Sequence, residues 1–161
     1  MELCTVAYDH PDAVLLVEGV QKVYVERYGD EDVTPVAPEE FSAPLGYFVV
    51  GYLDGVPVAC GGWRAHDGVP EAPLVAGDAE IKRMFVVEAA RGRGLARAVL
   101  AELERAAVAA GRLRMVLETG VIQPEAIALY ESSGYVRMDN FGTYRDDPLS
   151  LCFVKVLGGG G

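Results

Sequence analysis

The most informative segment of this chain reads Val87-Glu88-Ala89-Ala90-Arg91-Gly92-Arg93-Gly94-Leu95-Ala96-Arg97. A run of apolar, mostly β-branched and aromatic residues leads into it, and a helical pattern follows, with apolar residues every four positions from Leu95 to Ala107. The two glycines allow positive φ angles and let a ligand approach the main chain closely. The segment therefore predicts a strand-to-helix turn whose N–H groups point at one anion.

A pyrophosphate is the anion that this turn fits, although two well-known phosphate motifs are excluded. No Gly-Lys-Ser/Thr follows, as a Walker loop requires, and Arg97 replaces the third glycine of a dinucleotide fingerprint. There are two alternatives to a pyrophosphate site. The turn could be a tight strand-to-helix connection that binds no ligand, or the basic residues around it could form a solvated surface. The sixteen positions 82–97 contain one acidic residue and five basic ones, which are Lys82, Arg83, Arg91, Arg93 and Arg97.

The charge of the whole chain excludes several classes of partner. Its 161 residues carry a net charge of −10, which argues against binding nucleic acid or an anionic membrane. Residues 1–80 hold 3 basic and 15 acidic side chains, whereas residues 81–161 hold 11 and 9. The length suits one domain over 1–157, and the glycines at 158–161 are expected to form a flexible tail.

The N-terminal sequence and the cysteines indicate the cellular compartment of the protein. The chain has no run of eighteen apolar residues and no signal peptide at its N-terminus, so we expect a cytoplasmic protein. Cys4, Cys60 and Cys152 are far apart and form no CxxC pair. We therefore expect neither disulfides nor a metal site.

The first half of the chain predicts an antiparallel sheet with one helix. A helix is expected over 11–28, with Asp9 as its candidate cap. The segment 29–45 holds three prolines and five acids, and is predicted to be a loop, with or without a short helix. Asp54-Gly55 indicates a two-residue hairpin turn. Strands are predicted over 3–7, 47–53, 56–65 and 79–87.

The second half predicts a strand–helix–strand unit. One helix runs to residue 110 before Gly111, and another opens at Pro124 and ends near Gly134. Such units normally pair their strands in parallel through a right-handed crossover. The glycine turn then lies at the carboxyl end of a strand and the amino end of a helix. The remaining strands are predicted over 112–118, 135–138 and 149–156.

These residues resemble the GNAT superfamily of N-acetyltransferases. Its signature, Arg or Gln, two residues, Gly, one residue, then Gly or Ala, is matched by Arg91-Gly92-Arg93-Gly94-Leu95-Ala96. Upstream, 79–87 is similar to the family's fourth strand. Downstream, Ala126-Ile127-Ala128-Leu129-Tyr130-Glu131-Ser132-Ser133-Gly134-Tyr135 is similar to its A-x-x-L-Y-x-x-x-G-F/Y box. Order and spacing agree over 46–138.

The resemblance implies an α/β fold with a GNAT-type mixed sheet: antiparallel N-terminal strands, a parallel, splayed pair formed by the fourth and fifth strands, and about four flanking helices. Acetyl-CoA would lie between the splayed strands, with its pyrophosphate on the amides of 92–96 and its pantetheine paired to the backbone of Phe85 and Val87. Gln123 stands where many relatives carry an Asn that contacts the cofactor. The cofactor-binding residues so implied are Phe85, Val86, Val87, Arg91, Gly92, Arg93, Gly94, Leu95, Ala96 and Gln123.

The run 84–87 is apolar at consecutive positions, where a half-exposed strand would alternate. We therefore expect a bulge or burial on both sides, and the family has a bulge there.

Acetyl transfer to an amine needs a base, because an alkylamine with a pKa of about 10 is charged at neutral pH. The resemblance implies Glu80 in that role, with a solvated strand-edge residue as the alternative, and Glu118 is the reserve candidate. Tyr130 matches the family's tyrosine that protonates the leaving thiolate, or else anchors its helix to the sheet. A main-chain N–H near Phe85 is expected to polarise the carbonyl.

Other candidate residues carry weaker signals. His10 and His66 are isolated and are predicted to be surface or packing residues, and Cys152 is predicted to lie in the core. Three residues border the acceptor site in the family, or else serve turns and packing: Trp63, Arg64 and Tyr144.

The sequence therefore predicts a single-domain N-acetyltransferase that transfers the acetyl group of acetyl-CoA directly to a primary amine of a small molecule or peptide in a ternary complex. The acidic first half favours a cationic amine. The alternatives are a non-catalytic CoA-binding or interaction module with this fold, and a transferase for a longer acyl group. The family also makes a homodimer a candidate assembly.

Overall fold

A seven-stranded sheet organises the chain, which a computed structural model describes over residues 1–158. Residues 159–161 of the predicted glycine tail lie outside the described residues. The strands are β1 Glu2–Thr5, β2 Gly46–Leu53, β3 Val56–His66, β4 Asp78–Val86, β5 Arg114–Gly120, β6 Val136–Met138 and β7 Ser150–Val156. Their order across the sheet is β1-β2-β3-β4-β5-β7-β6. β4 and β5 pair in parallel, and the other neighbours pair antiparallel, which confirms the predicted mixed sheet.

Three α-helices cover the sheet: α1 Pro11–Tyr28, α2 Leu95–Ala109 and α3 Pro124–Ser132. The expectation of about four helices is therefore corrected to three within residues 1–158. The segment 29–45 forms a single 3₁₀ turn, Pro38–Phe41, since its prolines remove backbone donors that a longer helix would need. A second 3₁₀ turn, Glu88–Ala90, precedes α2. Within the described part of the chain, no helix is both long and apolar enough to cross a membrane.

The N-terminus of α1 is capped by His10, one residue later than predicted. Its Nδ1 atom accepts a hydrogen bond from the backbone N–H of Asp12 at 3.0 Å, so the prediction of Asp9 as the cap is wrong. Imidazole can take this place because an unprotonated ring nitrogen is an acceptor, as the carboxylate of a usual cap is. The histidine predicted to be a surface or packing residue therefore starts the first helix.

Both faces of the sheet are covered by apolar residues. In β2, Val49 packs with the core under α2 and α3, while its neighbours Phe48 and Val50 pack on the opposite face with Leu16 of α1. This alternation follows from the pleat of a strand. Between β2 and β3, Asp54 and Gly55 both have positive φ, 50° and 78°, which confirms the predicted hairpin turn.

The fourth strand, β4, contains a bulge, and the candidate site lies beside it. Gly62 of β3 pairs with Lys82, whereas Cys60 pairs with Phe85, so two residues of β4 face one of β3. One of the two, Arg83, has a φ of 62°, which a non-glycine residue rarely adopts. This confirms the bulge, which is one of the two alternatives that the apolar run at 84–87 allows and the one that the family resemblance implies.

β4 and β5 separate just before the bulge. They pair at three positions, the last being Glu80 with Val116, although β4 continues to Val86 and β5 to Gly120. The predicted splay of the fourth and fifth strands is therefore confirmed.

Asp32 links the loop after α1 to this bulge. Its Oδ2 atom lies 3.1 Å from Lys82 Nζ and 2.5 Å from Arg83 Nη1, and its Oδ1 accepts from Thr34 N at 2.9 Å. The Lys82 and Arg83 side chains are only 8% and 3% exposed, so each needs a counter-ion. Burial alone would raise the pKa of Asp32, but the two cations and the Thr34 hydrogen bonds hold it well below its ordinary value.

Asp32→Asn is expected to lower the free energy of unfolding by about 3 kcal/mol, because it leaves two buried cations without their carboxylate. Urea denaturation at neutral pH measures this change. Since the pKa of Asp32 is lowered, its stabilising contribution is present above an ordinary pKa of 3.8 and is lost only as the pH falls through the depressed value. Asp30→Asn, two residues away and exposed, is the control. Equal losses in both variants would contradict the role assigned to Asp32.

Candidate active site

Two cavities lie beside the point where β4 and β5 separate. The cleft cavity, of about 370 Å³, is lined by β4 from Ile81 to Val86, by β5 from Leu117 to Thr119, by the glycine turn and by α3. The loop cavity, of about 270 Å³, is lined by the end of α1, residues 30–33, the end of β5, and residues between Tyr144 and Ser150. The sheet therefore opens into a cleft at the position that the sequence predicts.

The glycine turn closes one end of the cleft cavity. Gly92 and Gly94 have φ angles of 79° and 75°, and a Cβ atom at either would meet nothing within 4 Å. The backbone conformation, rather than packing, therefore favours glycine at both positions. α2 begins at Leu95, and no side chain caps it. The first N–H groups of a helix have no intrahelical acceptor, so this turn can bind an anion.

Two of the arginines in this segment are held by contacts at the edge of the cleft cavity. Arg91 donates from Nε to the Val86 carbonyl at 3.0 Å, and its guanidinium carbon lies 5.9 Å from the centre of the Phe85 ring. Arg97 donates to the hydroxyls of Ser132 and Ser133, at 2.8 and 3.1 Å, which ties the start of α2 to the end of α3. Both guanidinium groups therefore stay close to the glycine turn.

The cleft cavity brings together most of the residues predicted to bind the cofactor. Its wall includes Phe85, Val86, Arg91, Gly92, Gly94, Leu95, Ala96 and Gln123. Arg93 and Val87 line neither cavity. Val87 donates its N–H to Val58 O at 2.8 Å and accepts from Ala90 N at 3.0 Å, so its backbone is engaged within the protein. The part of β4 that lines the cleft cavity is instead Ile81 to Val86, which precedes Val87.

Tyr130 of α3 reaches the inner wall of the cleft cavity. The side chain is buried, with its ring centre 5.6 Å from that of Tyr135 and 6.3 Å from that of Phe153. Burial raises the pKa of the phenol well above its ordinary value, so the hydroxyl keeps its proton at neutral pH. The residue thus anchors its helix and also presents a proton donor to the cavity.

Glu80 lies in a buried network and lines neither cavity. Its Oε1 atom is 3.0 Å from Arg64 Nε and 2.9 Å from His66 Nε2. Burial opposes ionisation, but the hydrogen bond from His66 and the charges of Lys82 and Arg64 lower the pKa of Glu80 below its ordinary value. The carboxylate is therefore a fixed anion that joins β3 to β4.

Glu118 has the opposite environment. It is half-buried on β5 and lines both cavities. Burial is the main cause that raises its pKa to about 7; the negative charges of Asp32 and Glu80 act in the same direction, and the charge of Lys82 and a hydrogen bond with Ser150 oppose it. A carboxyl group that titrates near neutral pH and faces a cavity has the property expected of a general base.

The two cavities meet at a shared set of residues: Tyr24, Asp32, Glu118, Thr119 and Gln123. Gln123 donates from Nε2 to the Tyr28 hydroxyl at 3.0 Å, which connects the start of α3 to the end of α1. Sequence reasoning did not identify Tyr24, Tyr28 or Asp32 as site residues. The spacing of four between the two tyrosines on one helix was the available signal.

The remaining candidates divide between packing and the loop cavity. Trp63 is buried in the core against Tyr47, and Cys152 is buried as predicted. Tyr144 lines the loop cavity, where its hydroxyl accepts from Val33 N at 2.8 Å. Among residues 1–158, no three His, Cys, Asp or Glu side chains form a group that could hold a metal ion.

Known proteins are similar to this chain in sequence and in architecture. The family model described as "Acetyltransferase (GNAT) family" matches residues 15–135. A protein of Azospirillum brasilense named "IAA acetyltransferase" is 35% identical over 156 residues, which span 95% of this chain and 97% of that protein.

Solved structures agree with the family match. A candidate acyl-CoA N-acyltransferase from Klebsiella pneumoniae has a TM-score of 0.75 at 27% identity, covering 97% of each chain. The PaiA N-acetyltransferase of Thermoplasma acidophilum, solved in complex with coenzyme A, has a TM-score of 0.69 at 13% identity and covers 97% of this chain and 99% of its own. The family model, the relative and the splayed sheet agree, and the chain belongs to the GNAT family of acetyltransferases.

Proposed function

We propose that this acetyltransferase moves the acetyl group of acetyl-CoA to a primary amine of a small molecule or peptide, while both substrates are bound. The observation that carries the proposal is the meeting of two cavities at Glu118, a carboxyl whose pKa of about 7 suits proton removal from an amine. One cavity ends at an anion-binding turn and the other does not, so each suits a different substrate.

The cleft cavity fits acetyl-CoA. The N–H groups of 92–96 would hold the pyrophosphate, since the turn has positive φ angles and open space around it. Arg91 and Arg97 lie beside the turn and add positive charge. The Met84–Val86 part of β4, which has left β5, would hold the pantetheine. Bound acetyl-CoA supplies the acetyl group as an activated thioester.

We assign the base to Glu118 rather than to Glu80. The Glu80 carboxylate already binds Arg64 and His66, which stabilise its charged form and weaken it as a proton acceptor. Glu118 lies at the junction of the cavities and takes up a proton near pH 7. Its Oε atoms would take the proton of the amine, directly or through one water molecule.

Two further groups of the chain complete the chemistry. The Tyr130 hydroxyl holds its proton and would donate it to the departing sulfur. The bulge leaves Arg83 and Met84 outside the regular pairing with β3, and we assign polarisation of the carbonyl to a main-chain N–H there, next to Phe85. Each group is fixed by the fold before substrates bind.

Glu118→Gln is expected to lower kcat by about 10²- to 10³-fold, because the amide cannot accept the proton. In the unchanged enzyme, kcat/KM should rise with pH through about 7 as the carboxyl ionises. Release of free thiol from acetyl-CoA with an amine acceptor measures both. Glu131→Gln, which is exposed on α3 and lies outside both cavities, is the control. A pH limb near 7 that survives in Glu118→Gln but disappears in Glu80→Gln would return the role to Glu80.

The same variant is expected to be more stable than the unchanged protein at pH 8. The Glu118 carboxyl has a pKa raised from 4.5 to about 7 by folding, so the folded state holds its proton more tightly than the unfolded state does. Stability from this group is therefore lost as the pH rises from about 4.5 to 7, and the neutral amide avoids the loss. Tm values at pH 5 and pH 8 test this: a gain at pH 5 equal to that at pH 8 would contradict it.

Gly94→Val is expected to weaken acetyl-CoA binding by at least about 10-fold, because a β-branched residue opposes a φ of 75° at the start of α2. Calorimetric titration with acetyl-CoA, and with ATP and NADH as controls for selectivity, measures it. Gly68→Val is the matched variant, with a φ of 73°, the same open surroundings and a position outside both cavities. Equal affinity in the two variants would exclude the turn from the binding site.

A further inference from the structure

The residues that line both cavities surround the point where the two substrates would meet. They are Tyr24, Asp32, Glu118, Thr119 and Gln123. A group that contacts the reacting nitrogen belongs to this set, because the nitrogen would come from the loop cavity and the thioester from the cleft cavity. Glu118 is the base of the proposed function. The other four differ in whether they have a polar group that is free to bind the nitrogen.

Two of these four already bind other groups of the chain. The Asp32 carboxylate is neutralised by Lys82 and Arg83, which lie 3.1 and 2.5 Å from its Oδ2 atom. The Gln123 side chain donates from Nε2 to the Tyr28 hydroxyl at 3.0 Å. Both side chains therefore hold the walls of the junction in place.

The remaining two, Thr119 and Tyr24, differ in the direction of their side chains. Thr119 follows Glu118 on β5, so its side chain points to the opposite face of the sheet, where Leu117 packs in the core. Tyr24 comes from α1 and lines both cavities. Within residues 1–158 its hydroxyl makes no hydrogen bond. A polar group at the junction is thus left free.

The part of α1 that carries Tyr24 is fixed on both sides. Three residues earlier, Gln21 donates from Nε2 to the Asp32 carbonyl at 3.3 Å and accepts at Oε1 from Asp32 N at 2.9 Å. Four residues later, the Tyr28 hydroxyl accepts the hydrogen bond from Gln123. The rings of Tyr24 and Tyr28 have their centres 6.2 Å apart. The phenol of Tyr24 is therefore held in place before a substrate arrives.

The Tyr24 phenol stays neutral. Burial raises its pKa well above the ordinary value, and the negative charges of Asp32 and, more weakly, of Glu118 raise it further against the positive charge of Arg83. These charges come from the loop after α1, from β5 and from β4, so the hydroxyl lies among all three elements. A neutral phenol does not take the proton of an amine, but its oxygen accepts a hydrogen bond. Its chemistry suits binding of the nitrogen.

We propose that Tyr24 is a further catalytic residue, whose hydroxyl oxygen accepts a hydrogen bond from the acceptor nitrogen and so directs the lone pair of that nitrogen at the acetyl carbon. The proposal rests on the proposed N-acetyltransferase function. An amine that has lost a proton to Glu118 has two hydrogens and one lone pair. With one hydrogen held by Tyr24, the nitrogen is oriented for attack, and orientation of reacting groups lowers the barrier.

The protons balance while Tyr24 keeps its own. The nitrogen forms a bond to the acetyl carbon as the carbon–sulfur bond breaks, and it loses its second proton to water. The sulfur gains a proton from the Tyr130 hydroxyl, which water restores. The product amide keeps one N–H, and this is the hydrogen that Tyr24 binds.

Tyr24→Phe removes the oxygen and keeps the ring. We expect kcat/KM for the acceptor to fall about 10-fold, because one hydrogen bond to the nitrogen is lost. Thiol release from acetyl-CoA measures it, with the fastest of n-butylamine, benzylamine and trialanine as the acceptor. Tyr52→Phe is the matched control, since the Tyr52 hydroxyl donates to Asp12 at 2.6 Å outside both cavities. A value for Tyr24→Phe equal to that of the control would overturn the proposal.

The dependence on pH distinguishes hydrogen bonding from proton transfer. The fall in Tyr24→Phe should be the same from pH 6 to pH 9, because the phenol is neutral throughout and the limb near 7 belongs to Glu118. A fall confined to the upper end of this range would mean that Tyr24 acts as a base, and would overturn the proposal.

A bisubstrate adduct gives a readout that needs no turnover. In it the sulfur of coenzyme A is joined through a CH₂–C(=O) group to the nitrogen of the same acceptor, so the amide N–H is kept. Calorimetric titration should show that Tyr24→Phe binds the adduct about 5- to 10-fold more weakly and binds coenzyme A as the unchanged protein does. An equal loss for both ligands would place Tyr24 at the cofactor and overturn the proposal, as would no loss for either.

The two levels of the argument fail in different ways. If the unchanged protein releases thiol with an amine and Tyr24→Phe does so equally well, the role of Tyr24 is overturned and the N-acetyltransferase function remains. If the unchanged protein binds coenzyme A but releases thiol with none of the three acceptors, the proposed function is overturned, and the role of Tyr24 with it.

Discussion

The ion pairs of Asp32 with Lys82 and Arg83 hold together the part of the sheet that everything else in the site uses. Arg83 adopts a left-handed conformation that costs about 1–3 kcal/mol, and two cations are buried beside it. Asp32 offsets both costs from a loop outside the sheet. With the bulge secured, β4 turns away from β5 after three paired residues, and the cleft opens between them.

Two glutamates near the cleft have different environments, and their carboxyl groups therefore differ in pKa. Glu80, on β4, is paired with Arg64 and His66 and has a lowered pKa. Glu118, on β5, is half-buried and faces two cavities, and its pKa is raised to about 7. Neighbouring acidic groups with pKa values driven apart are the arrangement from which acid and base roles are assigned in many enzymes. Here one carboxylate stabilises the sheet and the other is free to exchange a proton.

Local signals made most of the fold predictable. The hairpin at Asp54-Gly55, the bounds of α1 and the strand-to-helix turn at Gly92 and Gly94 each depend on residues close in sequence, and each was predicted. The apolar run before the turn broke the alternation of an ordinary strand and so predicted either a bulge or burial on both sides; the family resemblance favoured the bulge, which is observed.

What could not be predicted depends on distant partners. Asp32 and Arg83 are 51 positions apart, and nothing near Asp32 distinguishes it from the acids beside it. The preference for Glu118 over Glu80 arises from cavities and cations that only the folded sheet brings together. The cap at His10 was missed because an aspartate next to it is the commoner residue in that role.

The segment that follows α1 contains three consecutive acidic residues, Asp30, Glu31 and Asp32, whose side chains lie in two different places. Asp30 and Glu31 face the mouth of the loop cavity, while Asp32 reaches inward to the bulge of β4. Adjacent residues of one loop therefore serve a cavity wall and the packing of the sheet. A replacement of this loop that changes Asp30 and Glu31 alters the charge at the cavity mouth alone, whereas one that also removes Asp32 leaves Lys82 and Arg83 buried without their carboxylate.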